Sequence, residues 1–573
     1  MKSTQQPRPF DRAAAHFDSP SASSAAVMEP LEGRRLFSVA VELQSNAAGA
    51  HKLRVFDTAT PATTQREINL IGVLPGERLV SLDVRPETGQ LFAISRTRLY
   101  HIDVNAGNAT PIGGPFAVAI DAGAQAIEMD FNPTVDRIRV VTDTDQNLRL
   151  NPQTGAVVDG NAGTAGVQPD TPLAYAAGDA NALVNPAVAA IAYTGSQNGA
   201  TTTTLYGIDA QANALVSIGG LDGTPSPNTG QLTTLFAFPG NVAPQTHLDI
   251  VTSNRGTVDA AFTIATLEGA AAPLLFGIDL ATGQAATGLP LATPAAGFTI
   301  DDFALLPFQF DANGNAPVAF ALTTRNELLA FFVNDPTNIL RRAKIRGMDA
   351  GEQMIGIDFR PATGDLYGVT NLDRTYIINP RTGRTREIGS GIGVDLAGDR
   401  SAFGVDFNPV PDRLRVLSTA DQNLRIHPDT GAAVDTDLVT TGIQVDGTLV
   451  YGAGDANEGT DPVVSGAAYT NSYPGTPVTT LYNIDTGLDV LVTQNPNVGT
   501  LTTVGPLGVN VVRRTGFDVY SPIGDDFAFA ALQVDGQVRA GLYTINLTSG
   551  QAVRVGSIGG GRSIVGLALP IAP

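Results

Sequence analysis

Few residues in this chain can do acid–base, nucleophilic or metal chemistry, and their spacing narrows that chemistry further. There is no Cys, which removes disulfides, thiolate catalysis and Cys-based zinc sites. The five histidines are His16, His51, His101, His247 and His427, and no two stand at metal-ligand spacing. No G-x-S-x-G elbow, H-E-x-x-H helix or phosphate-binding Gly-Lys loop occurs. The only calcium-like spacing is Asp143-Thr144-Asp145-Gln146-Asn147. It lacks the Gly at the sixth position and the Glu at the twelfth, so it reads as a polar turn. Asp301-Asp302 and Asp525-Asp526 are adjacent in sequence, whereas a glycosidase needs carboxylates on opposite sides of a cleft; they read as charges at strand starts. No catalytic residue, metal or cofactor is therefore expected.

A charged group gathers around Asp136, Arg137, Arg139 and Arg149, and recurs as Asp412, Arg413, Arg415 and Arg425. On a strand flanked by Val and Ile, such an Arg can reach an inward carboxylate, Asp130 or Asp406. One reading is an ion-paired core that fixes loop geometry. The other has Asn132, Gln146, Asn147 and Arg149, with Asn408, Gln422, Asn423 and Arg425, lining a mouth that binds a polar or anionic ligand. Gly178-Asp179-Ala180-Asn181 and Gly454-Asp455-Ala456-Asn457 read as turns.

These residues sit inside a repeat. Asp130-Phe131-Asn132-Pro133 recurs as Asp406-Phe407-Asn408-Pro409, and at that offset Gln146-Asn147-Leu148-Arg149 becomes Gln422-Asn423-Leu424-Arg425. Leu205-Tyr206 and Ile208-Asp209 likewise become Leu481-Tyr482 and Ile484-Asp485. Within each copy, short alternating runs separated by turn residues recur about every 40–50 residues, four strands to a unit, which is the pattern of propeller blades. The expected architecture is all-β: two tandem β-propellers of about five four-stranded blades, spanning 39–310 and 311–573. In each, a last strand (Phe303 to Pro307, Val565 to Pro570) returns to the sheet of the first. The rival is one ten-bladed ring, in which the first of these segments pairs forward onto 317–346. Asp83, Asp130 and Asp249, with Asp358, Asp406 and Asp518, all fall on the first strand of a blade, nearest the axis. Only there could carboxylates from different blades gather unseen by sequence spacing.

Composition agrees with short strands and many turns: 62 Gly, 37 Pro and 16% charged residues in 573. A net charge of -20 disfavours nucleic acid and anionic lipid as partners. No apolar run is long enough to span a membrane as a helix.

The repeated motifs resemble a bacterial domain of unknown function, number 4394 among such families. The resemblance rests on Gly356-Ile357-Asp358-Phe359-Arg360-Pro361-Ala362-Thr363-Gly364, Asp406-Phe407-Asn408-Pro409, Gln422-Asn423-Leu424-Arg425 and Ala468-Tyr469-Thr470-Asn471. It implies a propeller-like domain, often in exported proteins, and brings no activity or catalytic residues.

Residues 1–38 read as a disordered tail bearing an address. Glu29-Pro30-Leu31-Glu32-Gly33-Arg34-Arg35-Leu36-Phe37-Ser38 resembles the LEPR-xLL export motif, with Gly33 and Phe37 as departures. A strand start or a twin-arginine signal are the other readings of this stretch. The expectation is an exported or cell-surface monomer whose propellers are a scaffold binding a polar ligand, glycan or protein. A propeller hydrolase or lyase on a polysaccharide or lactone, and a structural surface-layer module, are the alternatives.

Overall fold

The computed structural model describes residues 39–104, 106–197, 199–238, 241–252, 259–267, 272–306, 316–399, 402–522 and 526–572. The export-like motif and the expected disordered tail lie outside them.

The described residues form ten antiparallel-based sheets, five from each copy. Each ring closes on itself. Phe298–Leu305 pairs back onto Val39–Asn46, with Ala304 opposite Val41, and Ile564–Ala568 pairs onto Val318–Thr323, with Leu567 opposite Ala321. The chain is therefore two five-bladed propellers in tandem, and the ten-bladed ring is excluded. Sharing one blade between first and last strands leaves no open sheet edge at the seam.

The innermost strands of ring one are Phe298–Leu305, Leu79–Arg85, Ile127–Asn132, Val188–Tyr193 and His247–Thr252. In ring two they are Ile564–Ala568, Met354–Phe359, Phe403–Asn408, Val464–Tyr469 and Val511–Tyr520. Most of their residues are buried, because each blade is sandwiched between two others; Phe298–Leu305 and Val511–Tyr520 are open only toward one end, and polar side chains sit among the apolar ones along the axis.

Four strands per blade holds only on average. The third blade of each ring has three strands and the fourth has five. After Asn147–Leu150 the chain leaves the third blade and adds Ala174–Tyr175, in parallel, to Gln231–Ala237 of the fourth. Val450–Tyr451 does the same in ring two. This crossover ties neighbouring blades together at the outer rim. One apolar cluster also runs from ring one into ring two, from Val41 and Leu82 to Phe331, Phe529 and Leu542.

Candidate functional site

On a β-strand, residues two apart share a face, so each ring's innermost strands stack side chains in layers along the axis. One layer is alike in both rings. In ring one it holds Asp83, Asp130 and Asp249 with Ala192 and Ala304; in ring two, Asp358, Asp406 and Asp518 with Ala468 and Ala568. The carboxylates come from three blades, are buried, and approach within 4.8 Å of one another in each ring.

Each carboxylate also stitches two blades. Asp83 Oδ2 accepts the Phe131 N–H at 2.7 Å, Asp130 Oδ1 that of Tyr193 at 3.1 Å, and Asp249 Oδ2 that of Leu305 at 2.5 Å. Ring two repeats this: Asp358 takes Phe407 at 2.7 Å, Asp406 takes Tyr469 at 2.9 Å, and Asp518 takes Leu569 at 2.5 Å. Burial raises all six carboxyls. Mutual repulsion adds to burial for Asp83, Asp130, Asp358 and Asp406, and Asp249 and Asp518 are held at about 7.

The next layer, two residues earlier on every strand, separates the rings. Ring two has glycine at all five positions: Gly356, Gly404, Gly466, Gly516 and Gly566. There the strands close on each other. A Cβ on Gly356 would lie 2.2 Å from Val405 Cγ2, and one on Gly516 would lie 2.4 Å from the Gly566 carbonyl carbon. The residual space is about 10 Å3.

Ring one has Ser81, Glu128, Ala190, His247 and Asp302 instead. His247 Nδ1 lies 2.8 Å from Glu128 Oε1 and 3.4 Å from Asp302 Oδ1. Asp302 is held firmly: Oδ2 accepts from Ser81 Oγ at 2.7 Å and Leu82 N–H at 2.8 Å, and Oδ1 accepts from Phe303 N–H at 2.7 Å. Ser81 Oγ in turn accepts the Met129 N–H at 2.9 Å. Burial lowers the His247 imidazole, and burial first, with neighbouring charge second, raises Glu128 and Asp302. Burial thus biases the imidazole toward its neutral form and the two carboxyls toward their protonated forms.

Glu128 and His247 form part of the lining of a cavity of about 580 Å3 at this end of the channel. Glu77, Arg78, Arg96 and Asp301 line it as well. Arg78 pairs with one Asp301 oxygen, whereas Asp301 Oδ2 has no hydrogen-bond partner although the side chain is only 7% exposed. Burial opposes ionisation of Glu77, but hydrogen bonds from Ser95, Thr97, Tyr100 and Arg98 outweigh it and hold the carboxyl at about 2. Asp301 and Asp302 are therefore more than strand-start charges: one lines the mouth and the next lies on the axis.

The residues singled out from sequence divide. Asn132 and Arg149 line a second cavity of about 470 Å3 between the third and fourth blades, with Arg137, Arg139 and Asn228. Gln146 and Asn147 do not line it. Gln146 bonds the Asp121 N–H and the Ala119 carbonyl, and Asn147 bonds Arg139 and the Thr171 and Pro227 carbonyls. Gln422 and Asn423 repeat those contacts with Ala397, Asp395, Arg415, Gly447 and Pro496. Asn408 caps its own turn through the Val410 N–H, and Arg425 pairs with Asp446.

The carboxylate that Arg139 reaches is Asp170 at 2.7 Å, not Asp130; Arg149 meets the same carboxylate through two bonds of 2.7 Å. In ring two Asp446 serves Arg415 and Arg425. Sequence reasoning missed Asp170 and Asp446, which lie in unpatterned crossover loops. It also missed Glu128, His247 and Asp302. The signal was present as a broken column: glycine two residues before each axial position in copy two, ionisable groups in copy one.

The model of the family described as Domain of unknown function (DUF4394) matches residues 52–304 and 327–568. The chain belongs to this family. One DUF4394 match falls within each ring, starting after its first strand. No curated protein matches the chain. Among solved structures, it is similar to the extracellular domain of a putative hybrid two-component system from B. thetaiotaomicron, at 10% identity over 90% of this chain and 71% of that one, TM-score 0.24. It is also similar to a putative 6-phosphogluconolactonase from Bacteroides uniformis, at 12% identity over 70% and 95%, TM-score 0.26. A third is the Dos1 propeller, at 11% identity over 66% and 89%, TM-score 0.23. Similarity this distant carries no argument about what the DUF4394 copies do. Among the described residues no helix is long and apolar enough to cross a membrane.

Proposed function

We propose that the chain is an exported binding protein in which ring one holds the ligand and ring two is its scaffold. The observation that carries this is the contrast between the two axes: ionisable groups under an open cavity in ring one, five glycines with about 10 Å3 of residual space in ring two. Fold cannot decide function, so the reading rests on the site. The cavity has the size of a small-molecule pocket. Its rim offers guanidinium donors from Arg78 and Arg96 and carboxylate acceptors from Glu77 and Asp301, a mixture suited to a polyhydroxylated ligand such as a sugar or sugar acid. Asn132 and Arg149 form a subsidiary polar site in the same reading, with counterparts Asn408 and Arg425. Location outside the cytoplasm rests on the LEPR-xLL-like segment.

A catalytic reading draws on the same groups, because the Glu128 carboxyl and the His247 imidazole, 2.8 Å apart, can act as an acid and base pair. It predicts hydrolysis of sugar lactones or glycosides, abolished in Glu128→Gln.

The test of binding is a thermal-shift screen of the full chain with neutral mono- and disaccharides, aldonic acids and their lactones. A ligand at about 100 times its Kd adds about 2.7 kcal/mol of stability. At least one probe is expected to raise the Tm, and Arg78→Ala with Glu128→Gln is expected to remove the rise. No shift from any probe, or a shift unchanged in the variants, overturns the reading.

A further inference from the structure

We propose that the axis of ring one binds one divalent transition ion of the zinc type, held by Glu128, His247 and Asp302 at the floor of the mouth cavity. This deepens the binding reading by giving the site a metal floor.

The three side chains come from three blades, so no sequence spacing announces them, yet their donor atoms lie within 4.8 Å of one another and all three residues are buried. Donors on a tetrahedral ion with bonds of about 2.0–2.2 Å stand roughly 3.3–3.6 Å apart. The gap from His247 Nδ1 to Asp302 Oδ1 is 3.4 Å, and the gap to Glu128 Oε1 is 2.8 Å. Entry of the ion requires Glu128 to swing out by about half an ångström, and its hydrogen-bond partners are side chains rather than backbone. Asp302 is already oriented by Ser81 and Leu82, the outer-shell support that metal carboxylates usually have.

Among the described residues the site also holds no fixed cation that would compete with an ion. Glu128 and Asp302 stack on Asp83, Asp130 and Asp249, and among the described residues no Lys or Arg forms a salt bridge to any of the five. An independent observation is the Asp301 carboxylate on the cavity wall: Oδ2 is buried and has no donor, so it is free to accept from a metal-bound water or ligand hydroxyl. The imidazole selects the ion class. Calcium favours six to eight oxygens, whereas one nitrogen and two carboxylates suit zinc and its neighbours. Ring two supplies the internal comparison, since Gly404, Gly516 and Gly566 stand where Glu128, His247 and Asp302 stand in ring one.

The test uses the full chain, stripped with chelator and titrated with Zn2+ and with Co2+ as a spectroscopic stand-in. One equivalent should bind, with proton release, and Co2+ should show the intense visible band of a four- or five-coordinate site. Glu128→Gln and His247→Gly should each weaken binding more than about 100-fold, beyond the loss given by an outer-shell partner. Asp358→Asn in ring two should leave it unchanged. Circular dichroism confirms that each variant is folded, and Glu128→Gln, which breaks no backbone bond, decides if His247→Gly is not. Equal binding in the ring-one variants, meaning an adventitious ion only, overturns the proposal. So does stoichiometric Ca2+ without Zn2+, or no binding. Metal uptake is read without any organic ligand, so its failure is distinct from a failed sugar screen.

Discussion

Asp170→Asn isolates the ion-pair hub that pins the crossover loop of ring one. Asp170 and Arg139 side chains are each 2% exposed, and the substitution keeps volume while removing the charge that both Arg139 and Arg149 use. Arg149 is 21% exposed and can turn to water in the adjoining cavity, so its loss is small. Arg139 cannot; it keeps Asn147 at 2.7 Å and Asn228 at 2.6 Å, but it loses the one counter-ion it has among the described residues. Breaking one side of a buried pair costs about 3–5 kcal/mol. For a ring of this size each kcal/mol moves the Tm by about 2–4 °C, giving a fall of roughly 6–20 °C in the ring-one transition. The assay is thermal and urea unfolding followed by circular dichroism, with Asp446→Asn as the ring-two replicate. Arg139→Met with Asp170→Leu should recover much of the loss, because an apolar pair in place of a buried ion pair is often neutral. A loss below about 1 kcal/mol, against the 3–5 expected for a broken buried pair, would show that the charge is not held as described.

Further outcomes follow from the axes. In EDTA, stability should fall as pH rises from about 4 to 8. Asp249 and Asp518 are held at about 7, above their unfolded value, so the folded state binds the extra protons; their stabilisation is complete below about 4 and lost by about 8. Melts across that range check it, and a flat or rising profile contradicts it. Gly516→Ala should lose at least about 1–3 kcal/mol through overpacking, because the new methyl meets the Gly566 backbone at 2.4 Å; an unchanged melt would show that the strands part easily. Residues 39–310 and 311–573, expressed apart, should each unfold cooperatively, at a lower temperature than together because the apolar cluster they share is exposed. Two unfolded halves would contradict that.

The fold was largely legible because a propeller announces itself locally. Turn residues and alternating strands act over short distances, the 130-to-406 repeat marks the second copy, and Phe303 to Pro307 read as the inner strand missing from the first blade. The third blade was misjudged because the segment after Leu150 has no strand pattern and serves the next blade. Asp130 was named as an inward carboxylate within reach of the Arg, and the structure does put Asp130 and Arg139 in cross-strand register. The shorter Asp130 turns to the Tyr193 amide, while the longer Arg139 reaches Asp170 in a loop. The axial layer was half legible: the aspartates were placed near the axis, but Glu128 and His247 come from different blades, and only ring geometry brings them together.

The two axes are alike in sequence frame and are proposed to differ in function. Anomalous diffraction from crystals of the full chain soaked in Zn2+ tests this difference most directly. One axial peak is expected, between Glu128, His247 and Asp302 of ring one, and none at Asp358, Asp406 and Asp518. Peaks on both axes, or none on ring one, would contradict it.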